Sequence, residues 1–358
     1  MSRVGVAVLG ATGAVGQRFV ELLADHPWFE IRAVAASDRN AGLAYRDATT
    51  WILDRPVPAS AARMRLTATD DIAAAGVEAV FSALPGGTAG PVEAGLARQG
   101  LAVFTNARDH RMDADVPLLI PEVNPDHLDL VRRQPGPGFV VANGNCSAIV
   151  LTLALAPLHR AFGLDEVHVT TLQGLSGAGY PGVSGLDIVD NVLPYIEGEE
   201  DKLETEPQKT LGELDGDGVR PAAFRVHATA TRVPVREGHL ESVHVRLTRP
   251  SDAAAVRAAW TGFRAPADVA ALPGAPPTPV VLADGDDRPQ PRRDRDAGRG
   301  MSVTVGRVRL DPDRRGLRFV ALGHNTVRGA AGQSVLNAEA ARARGLLGGA
   351  SLRAGGNV

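Results

Sequence analysis

The chain has 358 residues, 44% of them apolar, and a formal charge of -3. That is enough apolar material for one large or two moderate cores, and the near-neutral balance lacks the attraction on which binding to nucleic acid or an anionic membrane surface rests. One cysteine, Cys146, excludes an intramolecular disulfide framework and a thiolate-rich metal site.

No apolar run reaches membrane-spanning length, and the sequence opens on a strand-like "RVGVAVLGA" instead of a cleavable leader, so a cytoplasmic protein with no metal is expected. In chain order, β-branched apolar runs bounded by turn residues fall at 4–10, 30–37, 77–84, 101–107 and 138–144. Segments with helical spacing, such as "AVGQRFVELLADH" and "AGPVEAGLARQG", lie between them. This alternation predicts an α/β fold with a Rossmann-like, doubly wound parallel sheet. Beyond Cys146, longer strands are expected at 165–173, 223–235, 239–247 and 301–309, with few helices: an inserted α+β domain with a mostly antiparallel sheet. Helical spacing returns from Thr326 to Leu347, and this last helix is expected to rejoin the first domain. The expected division is thus 1–145 with 325–358 for a nucleotide-binding domain and 146–324 for a catalytic one. The stretches 284–300 and 348–358, rich in glycine, proline and charge, are expected to be exposed loop or disorder.

"GATGAVG", residues 10–16, follows the first strand and opens a helix. Gly10, Gly13 and Gly16, with Thr12, Ala14 and Val15 between them, permit a tight turn and let a pyrophosphate approach free N–H groups at the helix N-terminus. Ser82, near the end of the run 77–84, joins the expected cofactor-binding set. At the end of the second strand, "AASDRNAG" offers Ser37 and Arg39, which suit the 2′-phosphate of NADP, and Asp38, which suits the free hydroxyl of NAD. Cys146 stands where "GFVVANGN" gives way to the helical "SAIVLTLALAPLHRAF". That position, at the carboxyl edge of the sheet and at a helix N-terminus, lowers a thiol pKa, although a lone cysteine before an apolar helix also serves as core.

Several motifs in one order carry a resemblance: "LGATGAVGQ", "IPEVNPDHL", "NCS", "LQGLSGAGYPG", "ETEPQK", "RVPVREGH" and "HNTVRGAAGQ". Over nearly its whole length the chain resembles the aspartate-semialdehyde dehydrogenases, in particular the branch with archaeal and fungal members. The resemblance implies an NADP-dependent, phosphorylating aldehyde dehydrogenase of amino-acid biosynthesis, which forms lysine, threonine and methionine precursors. It implies a homodimer or homotetramer whose interface comes from the second domain. It makes Cys146 the nucleophile, His239 the acid/base and Arg232 the grip on the substrate carboxylate. Glu206 is then expected at the substrate amino end, Lys209 and Arg111 on inorganic phosphate, Gln173 positioning the substrate beside the cysteine, Asn145 orienting the carbonyl, and Asn325 with Gly329 against the nicotinamide.

Read by type and spacing alone, the same residues are blander. His239 is a histidine at a strand start, Arg232 a strand-edge charge, Glu206 and Lys209 a solvated helical pair, and Gln173 a buried strand amide. The family branch commonly continues "NCST", and here Ala148 replaces the threonine. An acyl-CoA reductase of the same superfamily and a non-catalytic NADP-binding sensor are the alternatives. The sensor has no use for Cys146, Gln173, Arg232 and His239 together.

Overall fold

Residues 2–216 and 218–348 are described by a computed structural model. The strand–helix alternation of the first part produces six parallel strands: β1 (Val4–Leu9), β2 (Phe29–Ala35), β3 (Leu66–Thr67), β4 (Ala79–Ser82), β5 (Ala102–Thr105) and β6 (Phe139–Ala142). Their spatial order is β3-β2-β1-β4-β5-β6. Every residue of β1 is buried, as a central strand with both faces covered requires. Order reverses between β1 and β4, opening a crevice at their carboxyl ends. Helix α1 (Ala14–Leu23) leaves that crevice, and α2 (Ala89–Arg98) follows β4.

The chain then enters a 17-residue helix, α3 (Cys146–Phe162), apolar nearly all round and buried from Ser147 to Leu158. It lies on a second sheet of β7 (Leu164–Gln173), β10 (Arg225–Arg232), β11 (His239–Leu247), β12 (Val280–Leu282), β13 (Val303–Leu310) and β14 (Gly316–Gly323). A separate hairpin is formed by β8 (Glu213–Asp215) and β9 (Gly218–Arg220). The second sheet runs β10-β7-β11-β14-β13-β12; its three central pairings are antiparallel and the two edge pairings parallel, so it is mixed. β7 alternates buried and exposed residues, the mark of a sheet with one face packed and one open. Helix α4 (Glu199–Thr210) packs on α3 and β10, and α5 (Ala253–Thr261) braces α3 through Trp260, whose Nε1 donates to the Ala154 carbonyl at 2.8 Å.

Helix α6 (Gly332–Ala343) sends Val335 and Leu336 into the core around Phe19, Phe81 and Phe104 of the first sheet. It is preceded by a π-helical turn, Val327–Ala331. Arg328 in that turn makes a two-pronged ion pair with Glu122, at 2.8 and 2.9 Å, and both side chains are fully buried. Among the described residues no helix is long and apolar enough to cross a membrane.

Three features depart from the sequence reading. The stretch 284–300 is ordered: a helical turn at Pro291–Asp294 buries Asp294, which accepts from Arg288 Nε at 2.8 Å and from the Gln290 N–H at 2.6 Å. Its opposite charges neutralise one another locally, which a count of charges does not reveal. β14 has no counterpart among the expected strands, because "GLRFVALG" is bounded by glycines and lacks strict alternation; it is nonetheless central in its sheet. The expected loop at 348–358 lies, apart from Gly348, outside the described residues.

Candidate active site

Register builds the site. In the second sheet Arg232 pairs with Gln173, and Gln173 pairs with His239, so three polar residues form one row across β10, β7 and β11. All three are buried, with Gln173 and His239 1% and 0% exposed. They project to the face that α3 covers, since Val167 and Val169 of β7 and Val243 and Val245 of β11 share that face and are core. Helix and sheet meet closely: a Cβ on Gly323, which pairs with His239, would lie 2.4 Å from Val150 of α3. This brings the helix N-terminus, and Cys146, to the row.

Each side chain in the row is held. The Gly174 N–H donates to Nδ1 of His239 at 3.1 Å, so the neutral ring carries its proton on Nε2, which has no partner among the described residues. Burial, then the Arg232 charge, pushes this imidazole down to about 3. Arg232 donates from Nη1 to the Gly174 carbonyl at 2.8 Å. A Cβ on Gly177 would stand 2.8 Å from that same nitrogen and 3.1 Å from the imidazole, so only glycine leaves the mouth of the row open. Gln173 Nε2 donates to Glu199 at 3.2 Å and to Thr171 Oγ1 at 3.3 Å.

Cys146 is the first residue of α3, and Asn145 is its cap. The Asn145 Oδ1 accepts from the N–H groups of Ser147 and Ala148 at 3.0 and 3.2 Å, while its Nδ2 donates to both oxygens of Glu199 at 3.0 Å. The thiol departs from the expected low pKa. Burial first, and the Glu199 carboxylate second, push it up to about 12, against the opposing pull of Arg232, Arg111 and the helix N-terminus. The helix end is outweighed because the half-buried cysteine faces protein more than water. Gly329 of the π-turn fits against Cys146 so closely that a Cβ there would lie 2.5 Å from the cysteine Cβ.

The glycine turn lies at the crevice between β1 and β4. Gly10 has φ +65° and a Cβ there would meet the Ala83 carbonyl at 2.6 Å; one on Gly16 would meet the Gly10 carbonyl at 2.1 Å. Gly13, at the start of α1, is exposed, and Thr12, Ala14 and Val15 are half-buried, which leaves the helix N-terminus accessible. Ser82 ends β4 with a buried hydroxyl beside the Glu93 carboxyl. Ser37 and Arg39 are exposed at the carboxyl end of β2, with Arg39 in a 3-10 turn. A cavity of about 190 Å³ lies between the two halves, lined by Ala14 and Thr326 from one and by Leu175, Ser176 and Glu237 from the other. Asn325 stands behind it: its Oδ1 accepts from the Gly238 N–H at 2.8 Å and its Nδ2 donates to Ser176 at 2.7 Å.

Residues 5–131 match the family model of the semialdehyde dehydrogenase NAD-binding domain, and residues 155–328 that of the semialdehyde dehydrogenase dimerisation domain. The aspartate-semialdehyde dehydrogenase of Methanothermobacter thermautotrophicus is 50% identical over 94% of this chain and 98% of its own. That of Aspergillus fumigatus is 45% identical over 95% and 97%. The chain belongs to the aspartate-semialdehyde dehydrogenase family. The crystal structure of the Candida albicans aspartate semialdehyde dehydrogenase with NADP superposes with a TM-score of 0.88 at 39% identity, covering 97% of this chain and 100% of that one.

Within this aspartate-semialdehyde dehydrogenase scaffold, two expected ligands are otherwise engaged. Lys209 donates its three N–H bonds to the carbonyls of Arg111, Asp113 and Val116 at 2.7, 2.8 and 3.0 Å, so no donor remains for phosphate. Burial pushes its ammonium down to about 8. Glu206 accepts from Arg111 Nη1 at 2.8 Å and from the Asn145 N–H at 2.5 Å, which ties α4 to the start of α3. Arg111 also donates to the Asn106 carbonyl at 2.8 Å, and its buried Nε has no partner. Ala148 lines a small crevice with Glu206 and Thr210.

Glu199 is the residue that sequence reasoning missed. It is buried, holds Asn145, Gln173 and, at 2.7 Å, Lys202, and it acts electrostatically on Cys146, Arg232 and His239. Its own carboxyl stays below its usual range: burial opposes this, and Lys202, Asn145 and Gln173 outweigh it. The signal was helical period: Glu199, Leu203, Glu206 and Thr210 recur at one-face spacing in a run otherwise full of solvated charge.

Proposed function

We propose that the chain is an NADP-dependent aspartate-semialdehyde dehydrogenase that reversibly reduces 4-phospho-L-aspartate to L-aspartate 4-semialdehyde through a thioester on Cys146. The observation that carries this reading is the buried row Arg232–Gln173–His239 beneath the Cys146 end of α3. Arg232 offers a fixed positive fork for the substrate α-carboxylate, and Glu199 a carboxylate for its amino group. Cys146 attacks the acyl carbon, the carbonyl oxygen turns toward Nε2–H of His239, and the thiol proton leaves with the departing phosphate as hydrogen phosphate. Arg111, with Nε unpartnered, is the cation for that phosphate. As hydride reaches the thioester carbon, Nε2–H of His239 holds the developing oxyanion by a hydrogen bond; collapse releases the aldehyde and the Cys146 thiolate, which takes one proton from solvent to return to thiol.

The glycine turn, Ser82 paired with Leu9 just before that turn, and the cavity beside Ala14 suit a dinucleotide, and Arg39 suits its 2′-phosphate. Bound NADPH supplies the hydride. Asn325 fixes Ser176, which lines that cavity, and the backbone of Gly238 next to the lining residue Glu237, and Gly329 keeps the cysteine side open. Residues 1–145 with the C-terminal helix serve nucleotide binding, and 146–324 serve catalysis and homodimer assembly. Exposed Leu186, Val189, Val192 and Tyr195, with Leu186 96% accessible, suit burial against a second copy. In the oxidative direction, turnover of the semialdehyde with NADP is expected to require inorganic phosphate, to accept arsenate in its place and to ignore coenzyme A. Release that needs coenzyme A and is indifferent to phosphate moves the chain to the acyl-CoA reductases.

A further inference from the structure

The open face of the second sheet carries another polar row on the same three strands. His227 of β10 pairs directly with His168 of β7, which pairs with His244 of β11. Glu166 precedes His168 by two residues and so shares its face. Its carboxylate reaches two of the three, with Oε1 3.1 Å from Nε2 of His227 and Oε2 3.6 Å from Nε2 of His168. The two imidazoles stack with centroids 4.8 Å apart at 21°. One ligand atom from each of Glu166, His168 and His227 lies within 4.8 Å of the others.

We propose that Glu166, His168 and His227 form a binding site for one divalent d-block ion of the zinc class, separate from the proposed catalytic centre. Two imidazoles and one carboxylate suit zinc, nickel or copper better than magnesium or calcium, which favour all-oxygen sets. Ligands on a tetrahedral zinc, with bonds of about 2.0–2.1 Å, stand about 3.3 Å apart. The two carboxylate–imidazole separations of 3.1 and 3.6 Å bracket that value. The histidine pair closes the remaining gap by rotation, since the side chains of His168 and His227 are 56% and 51% accessible. The fourth position is left to water. Arg225, 3.5 Å from Glu166, turns aside when the ion takes its carboxylate, as its side chain is 71% accessible.

The site lies on the opposite face of β7 from Gln173, so it binds without entering the Cys146 chemistry. Equilibrium dialysis against zinc tests it on full-length Cys146→Ser protein, in which the thiol cannot supply a ligand. One zinc per chain is expected, and its loss in the His168→Ala/His227→Ala double variant. Glu166→Gln is expected to weaken binding without abolishing it. Cobalt loaded into the same protein is expected to give four-coordinate visible bands that the double variant lacks. The double variant with Cys146 intact is expected to turn over normally, which establishes its fold. Zinc retained by the double variant, or less than half an ion per chain before substitution, overturns the proposal.

Discussion

β10, β7 and β11 carry two rows of polar residues, one on each face, and the rows differ in what surrounds them. Arg232, Gln173 and His239 lie under α3, where every donor and acceptor is fixed or aimed inward. His227, His168 and His244 lie in water, where His244 meets Asp311 at 3.4 Å and the rings stack on one another. The same side-chain type therefore acquires two chemistries from one strand. Burial drives His239 down to about 3 and leaves a neutral ring with a directed proton. Exposure leaves His168 and His227 free to turn toward an ion. Register assembles both rows, and the covering helix decides which one does covalent work.

The comparison breaks most readily at β11, which holds a histidine of each kind. His239→Ala is expected to lower kcat by about 10²–10³ through loss of the Nε2–H donor to the oxyanion, with a smaller change in KM. His244→Ala, five residues along the same strand, is expected to stay within about twofold, as exposed substitutions generally do. Steady-state kinetics on both variants reads this out. Equal losses would mean that the two faces are coupled and that burial does not separate their roles.

Much of this arrangement was legible before any coordinates. Strands β1, β2, β4, β5, β6, β7, β10, β11 and β13 announced themselves through β-branched runs, and the glycine turn through its place between strand and helix. What sequence could not supply was register: nothing local says that Arg232 sits opposite Gln173, or that Gln173 sits opposite His239. β14 escaped because its bounding glycines and the unbroken apolar run Phe319–Leu322 mask the alternation that burial of one face imposes. The electrostatics escaped as well. A helix N-terminus argues for an acidic thiol, and only the packing of Glu199 and the surrounding protein reverses that sign. Lys209 and Glu206 looked like a surface pair and, by resemblance, like substrate ligands; burial makes them fasteners of α4 to its neighbours.

Lys209 sharpens the distinction between holding a site and serving in it. Replacing it by Met leaves the carbonyls of Arg111, Asp113 and Val116 without their donor. A loss of about 2–4 kcal/mol in urea-unfolding free energy is expected, since each buried orphaned acceptor costs about 1–3 kcal/mol and part of that is recovered by water. The KM for phosphate is expected to change less than the stability does. A tenfold rise in phosphate KM at unchanged stability would restore the lysine to the role of a ligand.

The smallest effect, and the one that isolates electrostatics from geometry, is the titration of Cys146. With its thiol pushed up to about 12, alkylation by iodoacetamide is expected to be slow at neutral pH and to rise about tenfold per pH unit past 9 without levelling. An ordinary thiol levels off once it is ionised, near its usual pKa of about 8.5–9. Stability follows by linkage. Well below its usual pKa of about 8.5–9 the thiol is protonated in both folded and unfolded chains, so its contribution is whole. Between about 9 and 12 the unfolded chain gives up the proton and the folded one keeps it, so stability falls as pH rises through that window. Cys146→Ser removes the titrating group, and its unfolding midpoint is expected to fall less between pH 8 and 10.5 than that of the unsubstituted protein. If alkylation instead levels off near pH 7, the end of α3 outweighs burial and Glu199, and the thiolate stands ready in the buried row without help from substrate.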